Sequence, residues 1–306
     1  MKKFLPLLCT LPLVLLAQAA PNEVQESAMT YAQALLLGVT EGVTEFLPIS
    51  STGHLLLAER LLNISDTPES ARALDTYMIV IQLGAILAVA WVYHDYLKRI
   101  ILGLLGKDAD GLRLFRNLMI AFIPAALVGI LFVDIIKESL FNLWVVSFAW
   151  LVGGVALVIW GKKTSHEADE SSCTLASLST KKALGIGAMQ VIAMWPGTSR
   201  SLITILGGKW VGLSLKDSVL FSFLLGLVTL TASTAYDMVR NGEEMIRQLG
   251  VNSLIIGLIA AYLSAWVAVR GMVHYLRKHG MGLFGGYRIV LACITVGLLL
   301  SGWVSA

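Results

Sequence analysis

The chain has 306 residues, of which 57% are hydrophobic and only 14% are charged, with a formal net charge of +3. Soluble domains carry about 25% charged residues, so this composition excludes an ordinary soluble protein. The sequence contains no long basic run of the kind that would indicate a nucleic-acid partner. The three cysteines, Cys9, Cys173 and Cys293, have no spacing that is typical of a metal site or a disulfide framework.

Residues 1–19 have the pattern of a signal peptide. Two lysines precede an apolar stretch, and Ala17-Gln18-Ala19 resembles a cleavage site. The alternative is an uncleaved anchor helix. In both cases we expect the residues that follow to begin outside the cytoplasm.

Two pairs of short apolar segments are too short to cross a bilayer, which requires about 20 residues. The first pair, residues 28–40 and 46–58, is interrupted at Pro48. The second pair, residues 183–194 and 201–208, is interrupted at Pro196-Gly197. Each pair is predicted to be a re-entrant helix pair that enters the membrane and returns on the same side.

Six longer apolar segments have the length and composition of transmembrane helices. They are Tyr77–Tyr93, Asn117–Val133, Ser139–Gly161, Ser218–Tyr236, Val251–Val269 and Ile289–Ala306. The predicted fold is therefore an all-α polytopic membrane protein with six transmembrane helices and two re-entrant pairs.

The order of these elements repeats along the chain. Residues 28–161 form a first repeat, 162–182 a polar cytoplasmic loop, and 183–306 a second repeat, in which Pro196-x-x-Ser199 matches Pro48-x-x-Ser51. The Lys and Arg residues between spans one and two, three and four, and five and six outnumber those on the other side. The positive-inside rule then places both termini outside. An odd number of crossings separates the copies, so we predict an inverted repeat with a ligand site where the broken helices converge.

The first polar motif, Glu41 to His54, concentrates ionisable groups at predicted membrane depth, where they indicate a functional site. Glu41 and Glu45 share one helix face. Together with substrate phosphates they could hold a hard divalent cation, Mg²⁺ or Ca²⁺. The alternative is that both carboxylates are solvated or hydrogen-bonded to the backbone.

The second polar motif, Trp195 to Ser201, contains Arg200, whose fork of donors suits phosphate. After each break the following half-helix exposes free N–H groups, which form an anion site. An ion pair with a glutamate is the alternative for Arg200, and simple helix capping is the alternative for the hydroxyls. The candidate substrate-binding residues are Ser50, Thr52, Thr198, Ser199 and Ser201.

Ser51 and His54 are three residues apart and can share one helix face. A hydroxyl with an imidazole in reach is a nucleophile–base pair. Glu45 could orient His54 or act as the base itself. A structural hydrogen bond is the alternative for His54.

The first polar motif resembles the Glu-x-x-x-Glu-Phe-Leu-Pro-[Val/Ile]-Ser-Ser-Thr-Gly-His signature of undecaprenyl-diphosphate phosphatases, the bacitracin-resistance protein family. The second resembles the family's Pro-Gly-x-Ser-Arg-Ser-Gly motif, except that Leu202 replaces the final glycine. That replacement could loosen the second motif or alter the substrate range. The N-terminal segment also exceeds the usual family pattern.

This resemblance implies an enzyme of the bacterial inner membrane, often a homodimer, that hydrolyses a polyprenyl diphosphate lipid, undecaprenyl diphosphate, to the monophosphate. It further implies a site that faces the periplasm and depends on a divalent cation. Ser51 would be the nucleophile, Glu45 and His54 would activate it or move protons, Glu41 would support the cation, and Arg200 would bind phosphate.

Two other functions fit parts of the pattern. A transporter or flippase of a phosphorylated lipid would share the inverted repeat, but translocation needs no nucleophile such as Ser51. The second class of lipid phosphatase uses a Ser-Arg-x₅-His motif, and its histidine would fall at Leu206. The sequence therefore favours hydrolysis by the first class.

Overall fold

The computed structural model describes residues 29–64, 67–164 and 172–305. The signal-like segment 1–19 and part of the loop 162–182 lie outside these ranges. Within them the chain is helical, and a single isolated bridge pairs Cys173 with Leu213.

Eleven α-helices and two short 3₁₀ segments occur in the described residues. The helices are α1 Tyr31–Thr44, α2 Ser51–Leu62, α3 Pro68–Val92, α4 His94–Leu104, α5 Ala109–Leu140, α6 Leu143–Thr164, α7 Thr180–Gln190, α8 Arg200–Trp210, α9 Leu215–Leu249, α10 Val251–His279 and α11 Gly282–Leu300; the 3₁₀ segments are Leu175–Ser177 and Val191–Met194.

Six of these helices, α3, α5, α6, α9, α10 and α11, are long and apolar enough to cross a bilayer. They confirm the six predicted spans and the multi-pass fold. The predicted boundaries of the third and sixth spans are wrong, and the other four helices extend beyond their predicted spans. The third span begins at Leu143, not Ser139, because α5 continues to Leu140 and Asn142 caps α6 by accepting from the Val145 N–H. The sixth begins at Gly282 and ends at Leu300.

Helix α4 was not predicted, because the polar residues between spans one and two read as a loop. It is amphipathic: Tyr96 and Leu97 pack inward against α5, while Lys98 is exposed. Arg99 Nε donates to Asp108 Oδ2 at 2.9 Å and ties α4 to the start of α5. A short surface helix thus lies between the first two spans.

The element order repeats, with two short helices before three long ones in each half. Helix α1 packs against α10 and, in the same way, α7 packs against α5; α3 packs against α9, and α6 against α11. The first short helix of each pair therefore lies on the other half of the chain. This exchange of partners matches an inverted repeat, while the re-entrant path of the short helices stays a prediction.

Small residues allow α1 to approach α10 closely. A Cβ added to Gly38 would lie 2.8 Å from the Ala260 Cβ, and one added to Gly42 would lie 2.8 Å from the Ala265 backbone nitrogen. Close packing of this kind stabilises helix pairs where lipid offers no hydrophobic driving force. It also fixes the end of α1, where Glu41 and Glu45 lie.

Candidate active site

The two polar motifs form turns that face each other, and each turn ends at a serine with unusual backbone geometry. Ser50 precedes α2 with φ 71°, and Ser199 precedes α8 with φ 77°. A positive φ is uncommon for a residue with a side chain and marks a strained site. Ser50 is thus the counterpart of Ser199, and Ser51 of Arg200. The predicted match of Ser51 with Ser199 is wrong by one residue.

The second turn has the hydrogen bond and residues of a type II β-turn. The Thr198 N–H donates to the Trp195 carbonyl at 3.1 Å, with Pro196 and Gly197 in the central positions. Gly197 has φ 88°, as that position requires. This rigid turn places Ser199 and Arg200 at the start of α8.

One buried arginine joins both turns. Arg288, on α11, is 0% exposed, and its guanidinium donates only to backbone carbonyls. The acceptors are the carbonyl oxygens of Pro48, Ala149, Trp150, Gly197 and Thr198, at 2.8 to 3.4 Å. Arg288 therefore contacts both polar motifs and helps to hold them together.

Two further hydrogen bonds fix the first turn. Trp150 Nε1 donates to the Ile49 carbonyl at 3.0 Å, and Ser201 Oγ donates to the Leu47 carbonyl at 2.9 Å. Ser201 is 0% exposed and lies behind the turn. The structure thus gives Ser201 a bridging contact between the two motifs.

The centre of the site is a contact between three side chains from both motifs. Arg200 Nη2 donates to Glu45 Oε1 at 3.1 Å, and the Ser51 hydroxyl donates to Glu45 Oε2. Glu45 and Ser51 are both buried. A carboxylate that accepts from a hydroxyl and a guanidinium at once is placed to take the hydroxyl proton.

Arg200 has three fixed contacts. Besides Glu45, its Nη1 donates to the Ser222 carbonyl at 3.0 Å, and its guanidinium lies 5.3 Å from the centre of the Phe46 ring. The Nε has no partner. The guanidinium is therefore oriented but keeps one buried donor for a further ligand.

A cavity of about 190 Å³ opens next to these side chains. It is lined by residues of both polar motifs and of α3 and α9. Of the predicted site residues, it is lined by Glu45, Ser50, Ser51, Thr52, Ser199 and Arg200. The remaining four, Glu41, His54, Thr198 and Ser201, lie outside its lining.

His54 is directed away from Ser51. Its Nδ1 lies 2.6 Å from the Ser50 carbonyl oxygen, so it donates there, and its Nε2 lies 2.8 Å from the Tyr287 hydroxyl. The ring also packs edge-on against Trp150. Both nitrogens are occupied, and the structure brings Ser51 to Glu45 rather than to His54.

Glu41 is completely buried one helical turn before Glu45, and both its carboxylate oxygens lack a hydrogen-bond partner. Hard divalent cations bind such oxygens, so Glu41 and Glu45 have suitable ligand atoms for a cation of this kind. In the described part of the chain, no group of three or more His, Cys, Asp or Glu side chains is placed to hold a metal ion. Phosphate oxygens would have to complete the ligand set.

Sequence reasoning missed Arg288, Trp150 and Tyr287. A signal for Arg288 existed: it is a charged residue within an apolar helix, and such residues are functional candidates. Gln82 was also missed as a site residue; it lines the cavity, and its Oε1 lacks a partner.

Comparison with known families gives a match over most of the chain. The family model described as "Bacitracin resistance protein BacA" matches residues 34–294, which include both polar motifs and Arg288. The chain belongs to the BacA family. Leu202, which departs from the family motif, is 1% exposed and packs with Phe46 and Ile49, so the second motif of this BacA protein is capped and tightly packed.

Curated relatives named as undecaprenyl-diphosphatases match most of this chain and most of their own length. The chain is 43% identical over 273 residues to the "Undecaprenyl-diphosphatase" of Nitrosomonas europaea, covering 89% of this chain and 96% of that protein. It is 41% identical over 278 residues to "Undecaprenyl-diphosphatase 2" of Rhodospirillum rubrum, with the same coverage. It is 35% identical over 291 residues to the "Undecaprenyl-diphosphatase" of Bordetella avium. This alignment covers 92% of this chain and 99% of that protein.

Proposed function

We propose that this membrane protein is a phosphatase that hydrolyses undecaprenyl diphosphate to undecaprenyl phosphate and inorganic phosphate. This activity recycles the lipid carrier of peptidoglycan synthesis and confers resistance to bacitracin. The contact of Ser51 and Arg200 with one buried carboxylate, Glu45, beside a cavity is the observation on which the proposal rests. The names of the BacA relatives support the choice of substrate.

In the proposed mechanism, Arg200 and the free N–H groups at the starts of α2 and α8 bind the terminal phosphate. Catalysis of phosphoryl transfer is mostly positioning and neutralisation of charge. Glu45 takes the proton of the Ser51 hydroxyl as Ser51 Oγ attacks the terminal phosphorus. The bond from that phosphorus to the bridging oxygen breaks, and undecaprenyl phosphate leaves. Water then hydrolyses the phosphoserine and releases inorganic phosphate.

We further propose that Glu41 and Glu45 hold a divalent cation, Mg²⁺ or Ca²⁺, when the diphosphate is bound. The cation would neutralise phosphate oxygens as charge moves to the leaving group. The two unpartnered oxygens of the buried Glu41 support this assignment, since a buried carboxylate without a partner is costly.

The location that we propose is the bacterial inner membrane, with the site open to the periplasm. The distribution of Lys and Arg among the connections supports this orientation. A homodimer is part of the same proposal, and it rests on the family resemblance alone.

The decisive experiment measures phosphate release from undecaprenyl diphosphate by the purified protein, with and without a chelator. We expect release that the chelator abolishes and that added Mg²⁺ or Ca²⁺ restores. Arg200→Ala should lower kcat/KM at least about a hundredfold, because one charge-stabilising group contributes about that much. Phosphate release that is unchanged by the chelator would refute the need for a divalent cation. Full activity of Arg200→Ala would show that Arg200 is not part of the site.

A lipid flippase is the second candidate, because the exchanged packing of short helices between the two halves resembles transporter architecture. Proteoliposomes with labelled undecaprenyl phosphate distinguish the two functions. Movement of the lipid between leaflets without any phosphate release from the diphosphate would favour the flippase.

A further inference from the structure

The cavity at the site is lined by two chemically different sets of residues, which we call its polar wall and its apolar wall. One wall is the polar set that includes Glu45, Ser51 and Arg200, and it accounts for a diphosphate. The other wall is apolar and is lined by Ala193, Trp195, Pro196 and Leu230. A phosphate group gains nothing from this second wall, so the ligand that fits both has an apolar part directly next to its phosphates.

Trp195 is the largest side chain of the apolar wall, and its backbone is fixed. Its carbonyl accepts from Thr198 and its N–H donates to Ile192, so it closes the type II turn and ends the 3₁₀ segment Val191–Met194. Arg288 holds the same turn through the Gly197 carbonyl. The indole is therefore attached to the same rigid unit that positions Arg200.

The apolar wall continues to the outer surface of the protein. Trp195 is 41% exposed, and the neighbouring Ile192 is 56% exposed. A Cβ added to Gly129 of α5 would lie 3.6 Å from Met194 Cε, so this segment lies against α5, where Ile130 is 72% exposed. Exposed apolar side chains on a membrane-spanning helix face the acyl chains of lipids.

We propose that Trp195 is a specificity-determining residue for the isoprenoid part of the substrate. Its indole holds the isoprene unit next to the diphosphate, and the rest of the chain passes the 3₁₀ segment Val191–Met194 into the bilayer. This inference rests on the proposed phosphatase function and adds to it. The continuity of the apolar wall with both the polar wall and the lipid-facing surface supports this occupant.

The test compares undecaprenyl diphosphate with methyl diphosphate, which has the diphosphate but no isoprene unit. In Trp195→Ala we expect KM for undecaprenyl diphosphate to rise about tenfold, as loss of a large apolar contact predicts. Its kcat should hardly change, because binding of this kind is equal in the ground and transition states. The KM for methyl diphosphate should hardly change, and Trp195→Phe should restore most of the loss for undecaprenyl diphosphate.

Trp303→Ala is the matched control, because Trp303 is 75% exposed and lies beyond the end of α11. It should leave both KM values unchanged. Ala193→Phe provides a second variant that adds volume to the same wall, and it should impair the long substrate more than the short one. It keeps the test valid if Trp195→Ala does not fold.

Equal effects of Trp195→Ala on both substrates would overturn the inference, since they would show that the indole only supports the turn. No effect on either substrate would also overturn it. Both results leave the proposed phosphatase intact. Failure of the wild-type protein to release phosphate from either diphosphate would instead refute the phosphatase itself.

Discussion

Arg200 shows why the site uses a guanidinium. The group contacts a carboxylate, a backbone carbonyl and the face of an aromatic ring in three different directions. A lysine ammonium cannot match this planar arrangement of donors. The sequence motif predicts a phosphate-binding role for Arg200, and an ion pair with a glutamate is its structural alternative. The structure shows that the ion pair exists and that the pair lines the cavity.

Ser51→Ala tests the proposed nucleophile. We expect the rate of phosphate release to fall at least about a hundredfold, because the hydroxyl and its proton transfer to Glu45 are both lost. The measurement is kcat with undecaprenyl diphosphate. Ser301→Ala is the control, because Ser301 is exposed and its hydroxyl donates only to the Leu298 carbonyl. Near-normal turnover of Ser51→Ala would transfer the role of nucleophile to water or to His54.

The pairing of His54 could not be predicted from spacing. Ser51 and His54 do begin the same helix, but the imidazole is held by Tyr287, which lies 233 residues away in the sequence. Local periodicity gives the face of a helix and not the distant partner that selects a rotamer. The catalytic role of His54 stays a prediction, and the geometry favours Glu45 as the base for Ser51.

Helices α8 and α9 position Arg200 through close contact at Gly226. This glycine lies within α9, and a Cβ added there would lie 2.5 Å from Arg200 Nη1 and 2.7 Å from its Cζ. The space that the guanidinium occupies is therefore provided by the absence of a side chain on a neighbouring helix. A methyl group here should therefore lower both activity and stability.

In Gly226→Ala the guanidinium must move, and we expect kcat/KM to fall between about ten- and a hundredfold, since misplacement by about 1 Å costs that much. The melting temperature should fall, because loss of the contacts of Arg200 with Glu45 and the Ser222 carbonyl outweighs the gain of about 1 kcal/mol from Ala within a helix. Phosphate release and thermal unfolding in detergent are the two measurements.

Gly271→Ala on α10 is the matched control, because a Cβ there would have nothing within 4 Å. It should keep full activity. If Gly226→Ala keeps its kcat/KM as well, the contact between α9 and Arg200 does not position the guanidinium.

At the scale of the whole molecule, the six spans could be predicted because the bilayer demands long apolar segments. The true ends of these helices could not be predicted, because helices such as α5 and α9 continue from the apolar segment into polar sequence. The packing of α1 and α7 on the opposite half of the chain could also not be predicted from the sequence. It depends on close contact between small residues such as Gly38 and a helix that is distant in the sequence. Arg288, which joins both motifs from α11, belongs to the same class of long-range contacts.

The orientation of the whole molecule gives the last prediction. If the basic connections lie in the cytoplasm, Asn252 at the start of α10 faces the periplasm, and Lys107 between α4 and α5 faces the cytoplasm. Both residues are exposed. We expect an impermeant maleimide to label Asn252→Cys in cells with a permeabilised outer membrane, and Lys107→Cys only after the inner membrane is opened.

The three native cysteines are first replaced by alanine, and both variants are checked for phosphate release, so that only folded protein is compared. The reverse labelling pattern would place the first polar motif's turn on the cytoplasmic side. A diphosphate released at the outer face could not then reach the cavity directly. The proposed recycling at the periplasmic surface would fail, although hydrolysis by Ser51 and Glu45 would stand.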